Sequence, residues 1–80
     1  MKEAYILLNV EDGYEENIIV QLLNNPHIKG VYKLKGIYNL IVRIKADNSE
    51  ELQRIIKSEI RSIMEIRSIL KLEFISSDSQ

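Results

Sequence analysis

The chain has 80 residues, enough for one domain and too few for two. Apolar residues make up 45% of it and charged residues 29%, a balance typical of globular proteins and not of disordered ones. Its 11 basic and 12 acidic side chains nearly cancel, and the absence of cysteine excludes disulfide scaffolds, thiolate metal sites and cysteine nucleophiles.

The first quarter of the chain predicts a strand followed by a helix. Residues 4–10 alternate with period two, which is typical of a strand. Asp12 and Glu15 have the spacing of a capping box, so we expect Asp12 to cap the helix. The apolar stripe of this helix is Ile18, Ile19, Leu22 and Leu23. The helix ends at Asn24-Asn25-Pro26, because the residue before a proline avoids helical geometry.

The middle of the chain predicts two strands joined by a tight hairpin. Val31 to Lys35 forms the short second strand, and Tyr38 to Ala46 forms the longer third strand, whose apolar residues alternate regularly. Gly36 lies between them and suits a turn that needs a positive φ.

A second helix and a last strand complete the chain. Asn48 and Glu51 are spaced as a helix cap pair. The apolar face of this helix is Leu52, Ile55, Ile56, Ile60 and Ile63. The last strand is predicted from about Ile66 to Phe74. Its inward residues are expected to be Ile66, Leu70, Leu72 and Phe74. We expect one domain over residues 1–75 and a frayed polar tail over 76–80.

This βαββαβ order predicts an α+β, ferredoxin-like fold: an antiparallel four-stranded sheet with both helices on one face. The other face of the sheet would then carry apolar side chains that a monomer leaves in water. A second copy packed face to face would cover them, so we expect a homodimer of the dimeric α+β barrel type. The residues expected at this dimer interface are Tyr5, Leu7, Ile41, Arg43 and Ile69.

Catalytic constellations are mostly absent from the sequence. The only histidine is His27, and no recognised spacing of metal ligands occurs. The carboxylate pairs Glu15-Glu16 and Glu50-Glu51 fall in the first turns of the helices, where the macrodipole favours negative charge. We therefore expect a non-enzyme without metal or cofactor. A small dimeric α+β-barrel enzyme remains an alternative.

Residues 29–45 contain five of the 11 basic side chains and no acidic one. A basic β2–β3 hairpin on a sheet of this topology leaves an RNA-binding module as a second alternative. Against it, the positions where aromatic residues would stack on bases hold isoleucine, asparagine and valine.

The sequence also lacks targeting signals. The longest apolar run, Ala4 to Leu8, is far shorter than the about 20 residues of a membrane span. The N-terminus has no apolar stretch of signal-peptide length. We expect a soluble cytoplasmic protein that does not bind membranes.

Several short motifs, taken with their order, resemble a known family. These are residues 4–10, 28–32 and 35–42, the helix that Asn48 starts, and residues 63–68. Together they resemble the effector-binding (RAM) domain of Lrp/AsnC transcription regulators over most of the chain, from Ala4 to Ile75. The family's regulators carry an N-terminal helix-turn-helix domain, for which this chain has no room before its first strand. The resemblance therefore implies a stand-alone version that does not bind DNA directly.

The resemblance implies sheet-to-sheet homodimers that assemble further into rings of dimers, often octamers. It also implies an amino-acid-like effector bound between dimers, and full-length Lrp/AsnC-type regulators as partners. The family's hairpin motif is matched at Gly36 and Tyr38, whereas Asn39 replaces the usual aspartate. The Pro-Gly-Val of the family's last loop is replaced by residues 64–66, so Arg67 and Ser68 are expected as substitute carboxylate partners. The expected function is a ligand-sensing, oligomerising module of transcription regulation.

Overall fold

The computed structural model of the protein describes residues 2–72, and these form the expected ferredoxin-like arrangement. The elements are β1 (Lys2–Val10), α1 (Glu15–Leu23), β2 (Ile28–Lys33), β3 (Leu40–Ala46), α2 (Ser49–Ile55), a π-helical turn that continues α2 (Ile56–Ile60), and β4 (Ile66–Leu72). The expected end of the last strand at Phe74, the domain boundary at residue 75 and the polar tail lie outside the described residues.

The sheet is antiparallel throughout, with the strand order β2-β3-β1-β4. The two strands with the most regular alternation, β1 and β3, lie at its centre. Their inner side chains pair directly, with Ile6 opposite Val42 and Leu8 opposite Leu40, and all four are fully buried. An uninterrupted period of two in each strand therefore suffices to define the centre of the core.

The start of α1 differs from the expectation. Tyr14 occupies the N-cap position without a side-chain hydrogen bond, and Asp12 does not cap the helix. The reason is Gly13, whose φ of 91° turns the chain between Asp12 and the first helical residue. Glu15 reaches back, and its Oε1 accepts a hydrogen bond from the Gly13 N–H at 3.1 Å. Only Ile18 and Leu22 of this helix are buried, and the expected stripe residue Leu23 is exposed.

The cap of α2 is confirmed. The Asn48 Oδ1 accepts a hydrogen bond from the Glu51 N–H at 2.8 Å, and the Glu51 carboxylate accepts one from the Asp47 N–H at 2.7 Å. All five expected apolar positions of this segment are buried. The last of its turns is π-helical, with the Arg61 N–H bonded to the Ile56 carbonyl at 2.9 Å. This turn is wider than an α-helical turn, because its hydrogen bond joins residues five positions apart, Ile56 and Arg61.

The connection between β2 and β3 is longer than the expected tight hairpin. β2 begins earlier, at Ile28, because a register shift after Ile28 accommodates Lys29 as an extra residue. It ends at Lys33, and residues 34–39 link it to β3. The expected positive φ is confirmed at Gly36, which has a φ of 127°.

The side-chain directions expected for β4 are wrong beyond Ile66. Val10 pairs with Ile66 and Asn9 pairs with Ser68, so Arg67 is an extra residue in a bulge. One extra residue reverses the alternation, and Ile69 therefore packs against the core. Leu70 and Leu72 point to the opposite face and are exposed, so the expectation that they point inward is wrong. Ile69 therefore does not lie on the face opposite the helices, where the dimer interface is expected.

Candidate functional site

Every buried side chain within residues 2–72 is apolar. No group of three or more histidine or acidic side chains in this part of the chain could hold a metal ion. The helices described here include none that is both long and apolar enough to cross a membrane. The polar and charged side chains of residues 2–72 therefore lie on the surfaces of the fold.

The face of the sheet opposite the helices, here called the open face, carries a continuous row of large apolar side chains. Leu7 lies between Ile41 of β3 and Leu70 of β4 in the pairing register, and Tyr32 of β2 pairs with Ile41. A second row places Tyr5 between Arg43 and Leu72. Tyr32, Leu70 and Leu72 are exposed, at 52%, 43% and 37%. Both helices lie on the other side, so no element within residues 2–72 covers this surface.

Four of these positions, namely Tyr5, Leu7, Ile41 and Arg43, are expected on this face from the sequence. Tyr32, Leu70 and Leu72 are further residues of the face that the sequence did not predict. The two leucines were missed because the bulge at Arg67 is not visible in a period-two pattern. Tyr32 could have been predicted, since it lies two residues after Gly30 in β2 and therefore on the same face of the strand.

Gly30 and Tyr32 form a close contact on the open face. A Cβ atom at Gly30 would overlap the Tyr32 hydroxyl oxygen, so the phenol ring covers the backbone of Gly30. A larger residue at position 30 would push this ring outward. Gly30 therefore allows the Tyr32 ring to lie flat on the sheet beside Arg43, the residue that pairs with Gly30.

Two polar side chains of the open face, Arg43 and Glu3, are paired with each other. Arg43 donates a hydrogen bond to the Glu3 carboxylate and forms an ion pair with it. This hydrogen bond from Arg43 lowers the pKa of Glu3 below its ordinary value of 4.5, and the same bond raises the pKa of Arg43. The pair is held at the rim of the apolar rows without isolating a charge inside them.

A cleft of about 270 Å³ lies on the helix side, between the start of α1 and the β2–β3 connection. We call it the hairpin cleft, and it is lined by Glu15, Glu16, Lys33, Leu34 and Asn39. Lys33 donates a hydrogen bond to the Glu16 carboxylate, which raises the pKa of Lys33. The cleft thus combines a cation, two carboxylates and an apolar wall.

Glu15 is fixed in this cleft by two neutral donors. Its Oε1 accepts from the Gly13 N–H, and its Oε2 accepts from the Asn39 amide at 3.3 Å. Neither donor carries a charge, and no ion pair within residues 2–72 includes Glu15. A half-buried carboxylate oriented in this way is suited to receive a cationic group.

The structure distributes the expected ligand residues around one end of the sheet. Asn39 and Ser68 flank the end of β1 on opposite sides, because Asn39 bonds to Val10 and Ser68 pairs with Asn9. Arg67 and Ser68 are exposed, and Tyr38 is half-buried. Gly36 lies at the exposed hairpin tip, where a Cβ atom would meet nothing within 4 Å. Of these residues, only Asn39 lines the hairpin cleft.

Asn39 also binds the backbone at the end of β1. Its Oδ1 accepts from the Val10 N–H at 2.8 Å, and its Nδ2 donates to the Val10 carbonyl at 3.0 Å as well as to Glu15. Both amide hydrogens are thereby engaged inside the protomer. The other cleft residues, Glu15, Glu16, Lys33 and Leu34, were not predicted from the sequence, where a first helical turn accounts for the two acids and the β2–β3 hairpin for Lys33 and Leu34.

The basic character of the β2–β3 hairpin is partly neutralised. Lys33 is paired with Glu16, and Arg43 is paired with Glu3. These acidic partners come from α1 and β1, far away in the sequence, so the basic run overstates the charge of the folded surface. This arrangement weakens the alternative of an RNA-binding surface.

The sequence profile and the curated relatives that match this chain point to the same family. A sequence profile of the Lrp/AsnC ligand binding domain matches residues 3–73. The HTH-type transcriptional regulator FL11 of Pyrococcus furiosus is 39% identical over 49 residues, which are 61% of this chain and 32% of that protein. The chain therefore spans about a third of the length of the curated relatives it matches.

Solved structures show the same fold. The crystal structure of FFRP-DM1 has a TM-score of 0.90 and 32% sequence identity, and the match covers 94% of this chain and 100% of that one. The transcriptional regulator NMB0573 of Neisseria meningitidis, solved as a complex with L-Met, has a TM-score of 0.84 at 9% identity. That match covers 94% of this chain and 50% of the regulator, and it concerns the fold alone.

Proposed function

The chain belongs to the family of Lrp/AsnC ligand binding domains, and from this premise we propose that it is a non-enzymatic module that senses an amino-acid-like effector and oligomerises in transcription regulation. The observation that carries the proposal is the open face. Its rows of Tyr5, Leu7, Tyr32, Ile41, Leu70 and Leu72 form the kind of contiguous apolar surface that marks a protein interface.

A second copy of the chain fits this surface better than a small ligand does. Two sheets pack about 10 Å apart with their side chains interdigitated, and such a contact would bury both apolar rows at once. The paired Glu3 and Arg43 would stay at the rim, where polar groups of interfaces lie. Further assembly of dimers into rings, octamers among them, and association with full-length Lrp/AsnC-type regulators belong to the same proposal.

The hairpin cleft is the proposed place for the effector. An amino acid carries an ammonium group and a carboxylate on one carbon atom. Glu15 is oriented to accept from the ammonium group, Lys33 can donate to the carboxylate, and Leu34 offers an apolar contact. The expected ligand residues Gly36, Tyr38, Arg67 and Ser68 would approach the effector from a neighbouring protomer, because they lie outside this cleft. The L-Met complex of NMB0573 supports an amino acid as the class of effector.

In this mechanism the effector changes the assembly only through a difference in affinity. An amino acid that binds more tightly to one oligomeric state than to another shifts the population toward the first state, by an amount fixed by the affinity ratio. A cleft whose walls are completed by a neighbouring protomer provides such a difference.

Sedimentation tests the interface. Leu7→Glu places a charge in the centre of the apolar row and should convert a dimer into a folded 9.3 kDa monomer. Val20→Glu is the matched control, because Val20 is an exposed apolar residue on α1, and this variant should remain dimeric. A wild-type chain that is monomeric at micromolar concentration would refute the proposal.

Thermal shift tests the effector. At a hundredfold excess over its dissociation constant, a bound amino acid stabilises the folded state by about 2.7 kcal/mol. Glu15→Gln should abolish the shift, whereas Glu11→Gln, which changes an exposed carboxylate outside the cleft, should preserve it. Absence of a shift with every standard amino acid at millimolar concentration would remove the sensing part of the proposal.

A further inference from the structure

A second concave site lies between α2 and the edge strand β4, away from the hairpin cleft. We call it the α2–β4 groove; its volume is about 340 Å³ and it is lined by Gln53, Ile56, Lys57, Arg61 and Lys71. This volume lies within the range of small-molecule sites. Its walls combine three cations and one amide with a single apolar residue, and they include no acid.

The cations converge because of two local irregularities. The π-helical turn brings Arg61 one turn beyond Ile56, so that both contribute to the same wall. The bulge in β4 reverses the alternation of that strand and turns Lys71 to the helix side, opposite the core residue Ile6. Single π turns in helices and bulges in strands occur frequently at functional sites.

The cations of α2 and its π-helical turn differ in whether they form ion pairs. Arg54 pairs with Glu51 and Glu59, and Asn25 donates a further hydrogen bond to Glu59. By contrast, no ion pair within residues 2–72 involves Lys57 or Arg61. Like charges one turn apart destabilise a helix, so these two cations carry a repulsion that a bound anion would relieve.

We propose that the α2–β4 groove binds a small organic anion, meaning a compound with a phosphate or carboxylate group on an apolar body. Arg61 and Lys57 would hold the anionic group through charge-assisted hydrogen bonds. Ile56, which is 7% exposed, would form the floor for the apolar body. This site is separate from the hairpin cleft, so the chain would respond to two classes of ligand at two places.

Phenyl phosphate is a suitable probe, with phenol as the neutral control and inorganic phosphate as the control without an apolar body. Calorimetry should show binding of phenyl phosphate that weakens with added salt, weaker binding of inorganic phosphate and none of phenol. Lys57→Gln combined with Arg61→Gln should weaken the binding of phenyl phosphate at least about tenfold. Both residues are exposed, so the double variant should fold.

Lys29→Gln is the matched control, because Lys29 is an exposed cation on β2, at the far edge of the sheet. It should leave the affinity unchanged. An equal loss in this variant, or no binding to the wild type, would overturn the proposal. So would equal affinity for inorganic phosphate, since the floor at Ile56 would then contribute nothing. Displacement of phenyl phosphate by duplex DNA of unrelated sequence would instead assign the groove to nucleic acid.

Discussion

The side chain of Asn39 pairs with both backbone polar groups of Val10, accepting from its N–H at 2.8 Å and donating to its carbonyl at 3.0 Å. The amide thus imitates one residue of a neighbouring strand at the place where β1 leaves the sheet. The Asn39 N–H also donates to the Leu8 carbonyl at 3.0 Å, so backbone and side chain together close the end of the β1–β3 ladder.

Asn39→Asp should therefore destabilise the fold, although it restores the residue expected from the family motif. The introduced carboxylate cannot donate to the Val10 carbonyl at neutral pH, and it would lie beside the Glu15 carboxylate. We expect a loss of about 1–3 kcal/mol in urea unfolding, which shrinks in acid as protonation restores a donor. Asn17→Asp, at an exposed position in the first turn of α1 where the macrodipole tolerates a negative charge, should show no such loss. A fully stable Asn39→Asp variant would mean that the bond to Val10 is dispensable.

Removal of the α2 cap should have a smaller and more local effect. Asn48→Ala deletes the acceptor for the Glu51 N–H, and loss of such a cap costs about 1 kcal/mol. Ser49→Ala, at the first helical position, should be nearly neutral in the same denaturation experiment. Equal stability of the two variants would show that the Asp47–Glu51 bond alone orders this helix start.

Glu59 should contribute stability that depends on pH. The hydrogen bond from Asn25, followed by the hydrogen bond and charge of Arg54, lowers the pKa of Glu59 below its ordinary value of 4.5. A carboxyl whose pKa is lowered on folding stabilises the protein above its unfolded pKa, and the stabilisation disappears as the pH falls through the folded pKa. Melting temperatures of wild type and Glu59→Gln should therefore differ near neutrality and converge below pH 4.5.

Glu50→Gln is the reference for that experiment. Glu50 is exposed on the same helix, and no ion pair within residues 2–72 includes it. Its difference from wild type should stay small at every pH. If the difference between wild type and Glu59→Gln persisted in acid, packing and not charge would be its cause.

The reversed alternation of β4 makes opposite predictions for two adjacent residues. Ile69 packs against the core, so Ile69→Ala should lower the free energy of unfolding by about 1–3 kcal/mol, less than a fully buried isoleucine would cost. Leu70 lies on the open face, so Leu70→Ser should raise the dissociation constant of the dimer and leave the monomer folded. Sedimentation combined with urea unfolding separates the two effects. The reverse result would contradict the bulge at Arg67.

The sequence predicted the fold correctly where one local rule governs the outcome. The alternation in β1 and β3 and the Asn48 cap were predicted because nothing interrupts the pattern there. The cap of α1 was missed because the positive φ of Gly13 separates Asp12 from the helix. The direction of Leu70 depends on a single unpaired residue, Arg67, which only the pairing with β1 defines.

The candidate site was harder to predict than the fold. Glu15 and Lys33 lie 18 positions apart in the sequence, and tertiary structure alone brings them to one cleft. The basic run of the hairpin misled for the same reason, since Glu3 and Glu16 neutralise part of it from distant elements. Charge counted along a chain differs from charge presented by a folded surface.

The phenol of Tyr32 over Gly30 gives the open face an intrinsic optical reporter. The chain has four tyrosines and no tryptophan, and Tyr5 and Tyr32 both lie on this face. Emission near the tyrosine maximum and near-ultraviolet circular dichroism should change when the face is covered. Dilution would then follow the association of two protomers without any attached dye.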